Sequence, residues 1–170
     1  MGVGRRQAGA ARPPASSHPR RDPRAGKRLS VAPDRPIARL VVHVDGGARG
    51  NPGPAAIGVV VSRPDGAVVD EVAEQIGVAT NNVAEYRALL RGLERAAALG
   101  AREVELVNDS ELVARQLMGV YKVKHPAMKP LHQEAMGALR AFDRWQIRSV
   151  PRAQNARADE LVNRALDAAR

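Results

Sequence analysis

Four carboxylates, Asp45, Glu85, Asp109 and Asp159, stand apart from the other acids of this chain. Most acids, such as Glu94, Glu103 and Glu134, fall on predicted helix faces or strand starts, where solvent accounts for them. Asp45 instead closes an apolar, β-branched run, although strands disfavour Asp. It is followed by a loop rich in Gly, Pro, Asn and Ala, whose glycines let the main chain pass close to a neighbour. Asp109 closes a second short apolar run, and a predicted helix starts directly after it. Glu85 follows Thr80-Asn81-Asn82 in the first turn of a predicted helix, and Asp159 lies in the first turn of the last one. Singly, each acid is explained by the helix dipole or by an N-cap. The set of four is harder to explain that way.

In a sheet whose first and fourth strands run parallel and adjacent, both carboxyl ends emerge at one edge, where open α/β folds place ligands. Asp45 and Asp109 would then be neighbours. Clustered carboxylates repel, and one must take a proton unless a cation intervenes. Hard oxygen donors, no cysteine and no convergent histidine select Mg²⁺, with Mn²⁺ as the alternative, over Zn²⁺. Two such ions about 4 Å apart, bridged by one carboxylate, suit in-line attack of water on a phosphodiester.

The elements that must position these acids are legible as patterns. Ile37–Val44, Ala55–Arg63 and Ala67–Ile76 read as strands of an antiparallel meander, with Pro64-Asp65-Gly66 as a turn. After a connection at Gly77–Thr80, Asn81 or Asn82 caps a helix running to about Leu99. Its apolar stripe is Ala84, Ala88, Leu89, Leu93, Ala96 and Ala97, and Gly100 stops it. Glu103–Val107 is a strand and Ser110 to about Met118 a helix. Gly119–Met128 is a loop carrying Lys122, Lys124, His125 and Pro126. Pro130–Phe142 is a helix, Trp145–Val150 the last strand, Pro151–Arg157 a loop and Ala158–Ala169 the last helix. The order predicts an α/β fold with a mixed sheet, three antiparallel strands followed by parallel ones with helical crossovers.

The 170 residues suit one domain. With four aromatic residues (Tyr86, Tyr121, Phe142 and Trp145), the core must be built of Val, Leu, Ile and Ala. The absence of cysteine excludes disulfides and thiolate chemistry. No apolar run approaches a membrane span, and the start has no apolar signal-peptide core, so a cytoplasmic protein without membrane contact is expected. The net charge is +9. Residues 1–36 hold nine Lys/Arg against two Asp, or +7, and the remainder 18 against 16, or +2. That first segment has six prolines and no hydrophobic period, and reads as a disordered basic Arg/Pro/Ala-rich tail ahead of a domain at 37–170. It is either a solvated appendage or a sequence-independent grip on phosphates.

Four segments carry a family resemblance: DGGARGNPGPAAIG at 45–58, TNNVAEYRALLRGL at 80–93, NDSELVARQLMGVYKVK at 108–124 and VPRAQNARADELVNRAL at 150–166. In order and spacing they resemble the signature blocks of ribonuclease HI, closest to its prokaryotic, archaeal-like branch, over about residues 38–168. The resemblance implies a ribonuclease-H-like five-stranded mixed sheet of order 3-2-1-4-5, strand 2 antiparallel, with helices on both faces. It implies a monomeric endonuclease that cleaves the RNA strand of RNA–DNA hybrids with two Mg²⁺ ions, leaving 5′-phosphate and 3′-hydroxyl ends. Asp45 would bridge both ions, Glu85 and Asp109 would complete one site, and Asp159 would hold the nucleophile-side ion. The Gly46-Gly47-Ala48 backbone, Asn51, Asn81 and Glu85 match positions that read RNA 2′-hydroxyls, the group that distinguishes RNA from DNA. Thr80 and Asn82 match positions that touch the DNA strand. Arg152 and Asn155 are candidates to orient phosphate, and Lys122 and Lys124 to touch it.

Two departures accompany the resemblance. Ser149 stands where many relatives carry a histidine between the last strand and helix. No Trp- and Lys-rich protruding helix is present to grip DNA. The basic tail is a candidate substitute: deleting residues 1–36 is expected to raise KM and flatten the salt dependence of cleavage, and an unchanged KM at low salt would refute that role. The readings that compete with hybrid cleavage are a catalytically silent nucleic-acid-binding module and the same chemistry on double-stranded RNA or RNA–DNA junctions.

Overall fold

The structure is a computed structural model that describes residues 38–169. The expected tail at 1–36 and the first strand residue Ile37 lie outside the described residues. Five strands, β1 (Arg39–Ala48), β2 (Gly53–Ser62), β3 (Val68–Ala79), β4 (Glu103–Asn108) and β5 (Arg144–Ser149), form one sheet of order β3-β2-β1-β4-β5. β2 runs antiparallel to both β1 and β3, whereas β4 runs parallel to β1 and β5 parallel to β4. The helices are α1 (Asn81–Ala98), α2 (Glu111–Leu117), α3 (Lys129–Leu139) and α4 (Ala156–Ala168).

α1 buries Ala84, Ala88, Leu89, Leu93 and Ala96, most of its predicted stripe. Ala88, Leu89, Leu93 and Ala96 pack with Leu40, Val42 and Val44 of β1, Val59 and Val61 of β2, and Leu106 of β4. The opposite face of the sheet receives α4, through Ala158, Leu161, Val162, Ala165 and Leu166. Side chains alternate across a strand, so β1 sends Val42 and Val44 towards α1 and Asp45 to the other face.

Four boundaries differ from expectation. β1 does not end at Val44: its pairing with β4 stops at His43↔Val107, but its pairing with β2 continues to Ala48↔Ala55. Asp45 therefore lies inside β1, just past the point where β4 leaves it. β3 extends through the expected connection to Ala79, because Gly53 and Pro54 pair with Ala79 and Val78. A short 3₁₀ turn (Arg152–Asn155) runs directly into α4, which begins two residues earlier than its pattern suggested, while α3 ends at Leu139, before Phe142. Among the described residues no helix is long and apolar enough to cross a membrane.

Candidate active site

The cap of α1 is Thr80, whose hydroxyl accepts from the Val83 N–H at 3.3 Å, rather than Asn81 or Asn82. Asn81 is engaged elsewhere: its Oδ1 accepts from the Ala48 N–H at 2.9 Å, and its own N–H donates to Asn51 Oδ1 at 3.1 Å. These two bonds tie the end of β1 and the following loop to the start of α1. Because the helix begins at Asn81, Glu85 falls in the second turn, not the first. Helix-dipole stabilisation fades beyond the first turn, so that explanation for Glu85 weakens.

Two glycines allow the approach of the acid-bearing helices. A Cβ on Gly46 would lie 2.2 Å from the carbonyl carbon and oxygen of Ala84, so only hydrogen lets α1 bring Glu85 against β1. A Cβ on Gly58 would lie 2.2 Å from the Ala158 carbonyl oxygen. Gly58 is the cross-strand partner of Asp45, so this contact seats the first turn of α4, with Asp159, beside Asp45.

The result is a convergence of all four predicted acids. Ligand atoms of Asp45, Glu85 and Asp109 lie within 4.8 Å of one another. Asp159 approaches from α4 closely enough for its charge to bear on Asp45. Asp45 is the hub, with Asp109 supplied by the adjacent end of β4. Ser110, immediately after Asp109, is the true N-cap of α2, its hydroxyl accepting from the Val113 N–H at 3.4 Å. Asp159 is paired with Arg152 at 2.8 Å.

Burial and like charge dominate the electrostatics of the cluster. Burial, then the charges of Asp109 and Asp159, push the Asp45 carboxyl up to about 7. Burial, then Asp45 and Asp109, push Glu85 up to about 9, and its Oε2 is enclosed without a hydrogen-bond partner. An orphaned carboxylate oxygen within an all-oxygen cluster fits a hard divalent cation. Between the ordinary carboxylate range and these raised values the folded state holds more protons than the unfolded chain, so metal-free stability falls as pH rises. Melting in EDTA should therefore drop from pH 5 to pH 9, and Mg²⁺ should restore progressively more of it at higher pH. A Mg²⁺ effect of equal size at pH 5 and pH 9 would contradict this.

The substrate-side expectations fare unevenly. Gly46 is buried against α1, and its N–H serves the Glu85 carboxylate, which leaves Gly47 and Ala48 as the half-exposed part of that backbone. Asn51, Asn81 and Asn82 are exposed, and Thr80 is half-exposed, along one rim of the acids. Asn155 is 1% exposed, and its Nδ2 donates to the Val44 carbonyl at 2.9 Å. It anchors the start of α4 to β1 beside Asp45. Arg152 is exposed on the outer side of Asp159, Ser149 is exposed at the end of β5, and Lys122 and Lys124 are exposed between α2 and α3.

Sequence reasoning missed Asn108 and Glu105. Asn108, next to Asp109, is 1% exposed with both amide atoms unpartnered. Glu105 is buried in β4 between Arg39 at 2.7 Å and Arg148 at 2.5 Å. Those guanidiniums, and their hydrogen bonds to the carboxylate, hold it below the usual range despite burial, which makes it a satisfied structural acid. Both pairs bridge distant parts of the chain, so no local pattern reveals them.

Comparison with known proteins agrees with this architecture. Residues 43–165 match the family model described as reverse transcriptase-like, the class to which this fold and acidic edge correspond. Ribonuclease HI of Halobacterium salinarum is 48% identical over 137 residues, covering 81% of this chain and 68% of that protein. A bifunctional protein of Mycobacterium tuberculosis is 48% identical over 132 residues, 77% of this chain, which spans 36% of that relative's length. The crystal structure of LC11-RNase H1 in complex with an RNA/DNA hybrid aligns with a TM-score of 0.74 at 46% identity, covering 76% of this chain and 98% of that one. The chain belongs to the ribonuclease HI family.

Proposed function

We propose that this chain is an endonuclease hydrolysing the RNA strand of RNA–DNA hybrids in a reaction dependent on divalent cations. The observation that carries the reading is the convergence of Asp45, Glu85 and Asp109, with the charge of Asp159 beside Asp45. The ribonuclease HI relative and the structure solved with a hybrid support the substrate class.

In this reading Asp45, Glu85 and Asp109 would hold one Mg²⁺ and Asp45 and Asp159 a second, with Mn²⁺ as a substitute. Bound there, the cations would neutralise the cluster and stabilise charge developing on the phosphodiester as water displaces the ribose 3′-oxygen, giving 5′-phosphate and 3′-hydroxyl ends. The chain's own groups do the rest. Gly46 N–H holds Glu85. Asn155 fixes the approach of α4 through Val44. Arg152 restrains Asp159 and sits where it can meet a phosphate. Gly47, Ala48, Asn51 and Asn81 form the rim that reads 2′-hydroxyls, and Thr80 and Asn82 meet the DNA strand. Thr80's cap role is compatible with this, because its hydroxyl accepts from Val83 and keeps its own proton to donate. Residues 37–170 act as a monomeric catalytic domain in the cytoplasm, with 1–36 as a basic appendage and Lys122 as an auxiliary phosphate contact.

The test is a panel of same-sequence duplexes, hybrid, double-stranded RNA and DNA, each incubated with Mg²⁺, Mn²⁺ or EDTA. Cleavage confined to the hybrid and lost in EDTA is the expected result. Cleavage of double-stranded RNA at a comparable rate would move the substrate assignment, and binding without cleavage would make the chain a silent module.

A further inference from the structure

The acid cluster is a triangle with two sides fixed by features already described. The pairing of β1 with β4 sets Asp45 against Asp109, and the contact at Gly46 sets Asp45 against Glu85. The third side, between Glu85 on α1 and Asp109 at the entry to α2, has no backbone pairing behind it. Glu85 Oε2 has no hydrogen-bond partner to hold it there.

Directly behind that side lies a buried polar cluster that the proposed chemistry does not use. Tyr86, the residue after Glu85, is 0% exposed, and its hydroxyl donates to Gln116 Oε1 of α2 at 2.6 Å. A phenol is protonated at neutral pH, so the hydroxyl is the donor in this bond. Gln116 is itself buried, and its backbone carbonyl meets His132 Nε2 of α3 at 3.2 Å. The His132 ring stands edge-on to Tyr86, centroids 6.5 Å apart. One hydroxyl thus joins the helix that carries Glu85 to the helix that follows Asp109, and α3 braces the junction. A phenylalanine would fill the same core space. The hydroxyl is therefore not needed for packing, and a buried hydroxyl is tolerated only because Gln116 satisfies it.

We propose that Tyr86 is a positioning residue for the metal cluster: its hydrogen bond to Gln116 sets the separation of Glu85 from Asp109 and so the affinity for divalent cation. This rests on the metal-dependent reading above. The position of Tyr86 immediately after the acid makes the coupling short. A shift of α1 against α2 moves Glu85 with it, while Asp109 stays with the sheet.

The experiment is Mn²⁺ binding to the free protein, read as loss of the free-ion electron paramagnetic resonance signal, for wild type and Tyr86→Phe. It is paired with the Mg²⁺ dependence of hybrid cleavage. Loss of one buried hydrogen bond corresponds to about fivefold weaker binding. The expected result is that weakening, a matching rise in the Mg²⁺ needed for half-maximal rate, and recovery of kcat at saturating Mg²⁺ with KM for the hybrid unchanged. Gln116→Met, which removes the acceptor and keeps the side-chain length, should reproduce it, and the double variant should be no worse than either single one. Unchanged Mn²⁺ affinity in both variants, or a kcat loss that Mg²⁺ does not recover, overturns the proposal. So does failure of both variants to fold, which would make the pair purely structural. Wild type that binds no Mn²⁺ would instead overturn the metal-dependent reading itself.

Discussion

Asp45→Asn is expected to lower hybrid cleavage by about 10³-fold or more, the loss expected when several kcal/mol of charge stabilisation is removed. Asp45 is the acid common to all the others: it clusters with Glu85 and Asp109 and feels the charge of Asp159. An amide in its place keeps the size and one acceptor oxygen, and removes the charge that would bridge two cations. The same substitution should raise the melting temperature in EDTA at neutral and alkaline pH. Asp45 is buried, and its neighbours' charges oppose its ionisation, so the metal-free fold is better off without it. Loss of activity with gain of stability marks a functional acid, whereas a structural acid would lose both. Activity within tenfold of wild type would remove Asp45 from the centre of the site.

Gly46→Ala should be as damaging by a different route. The added Cβ would stand 2.2 Å from the Ala84 carbonyl carbon and oxygen and 2.5 Å from the Glu85 nitrogen, all backbone atoms of α1. No side chain can yield there, so the helix must move off the strand. Overpacking of this kind costs about 3 kcal/mol, and the displacement carries Glu85 away from Asp45. Urea unfolding should show that loss, and Mg²⁺ should restore less stability than in wild type. Gly47→Ala is the control: its Cβ would meet Val162 Cγ1 at 3.4 Å, ordinary contact, and it should unfold within about 1 kcal/mol of wild type. Equal effects at the two positions would show that the close approach of α1 is not what Gly46 is for.

The mixed sheet, the helices and the candidate acids follow from patterns that survive in a single sequence: apolar runs, a 3.6-residue stripe on α1, and acids that follow apolar runs or fall near helix starts, whereas the strand order is what the resemblance implies. What was less legible depended on competition between equivalent local signals. Thr80, Asn81 and Asn82 are all good caps. Thr80 takes the role because Asn81 is drawn to the Ala48 N–H, a partner 33 residues away. The glycines after Asp45 read as a loop because Gly weakens a strand, yet pairing with β2 carries β1 through them to Ala48. Asn155 reads in the sequence as a candidate to orient phosphate from a polar loop, and only the fold supplies the Val44 carbonyl that its amide meets. The resemblance carried the site further than the spacing did, because spacing alone allowed each acid a capping role.

The central claim is that these acids form a divalent-cation site that cuts RNA paired to DNA. It is tested most directly by a hybrid carrying distinct labels on its two strands, incubated with wild-type protein and Mg²⁺, with the ends of the fragments identified. The prediction is internal cleavage of the RNA strand alone, with 5′-phosphate and 3′-hydroxyl ends and no products in EDTA. An intact RNA strand in both Mg²⁺ and Mn²⁺, cleavage of the DNA strand, or cutting that persists in EDTA would contradict it.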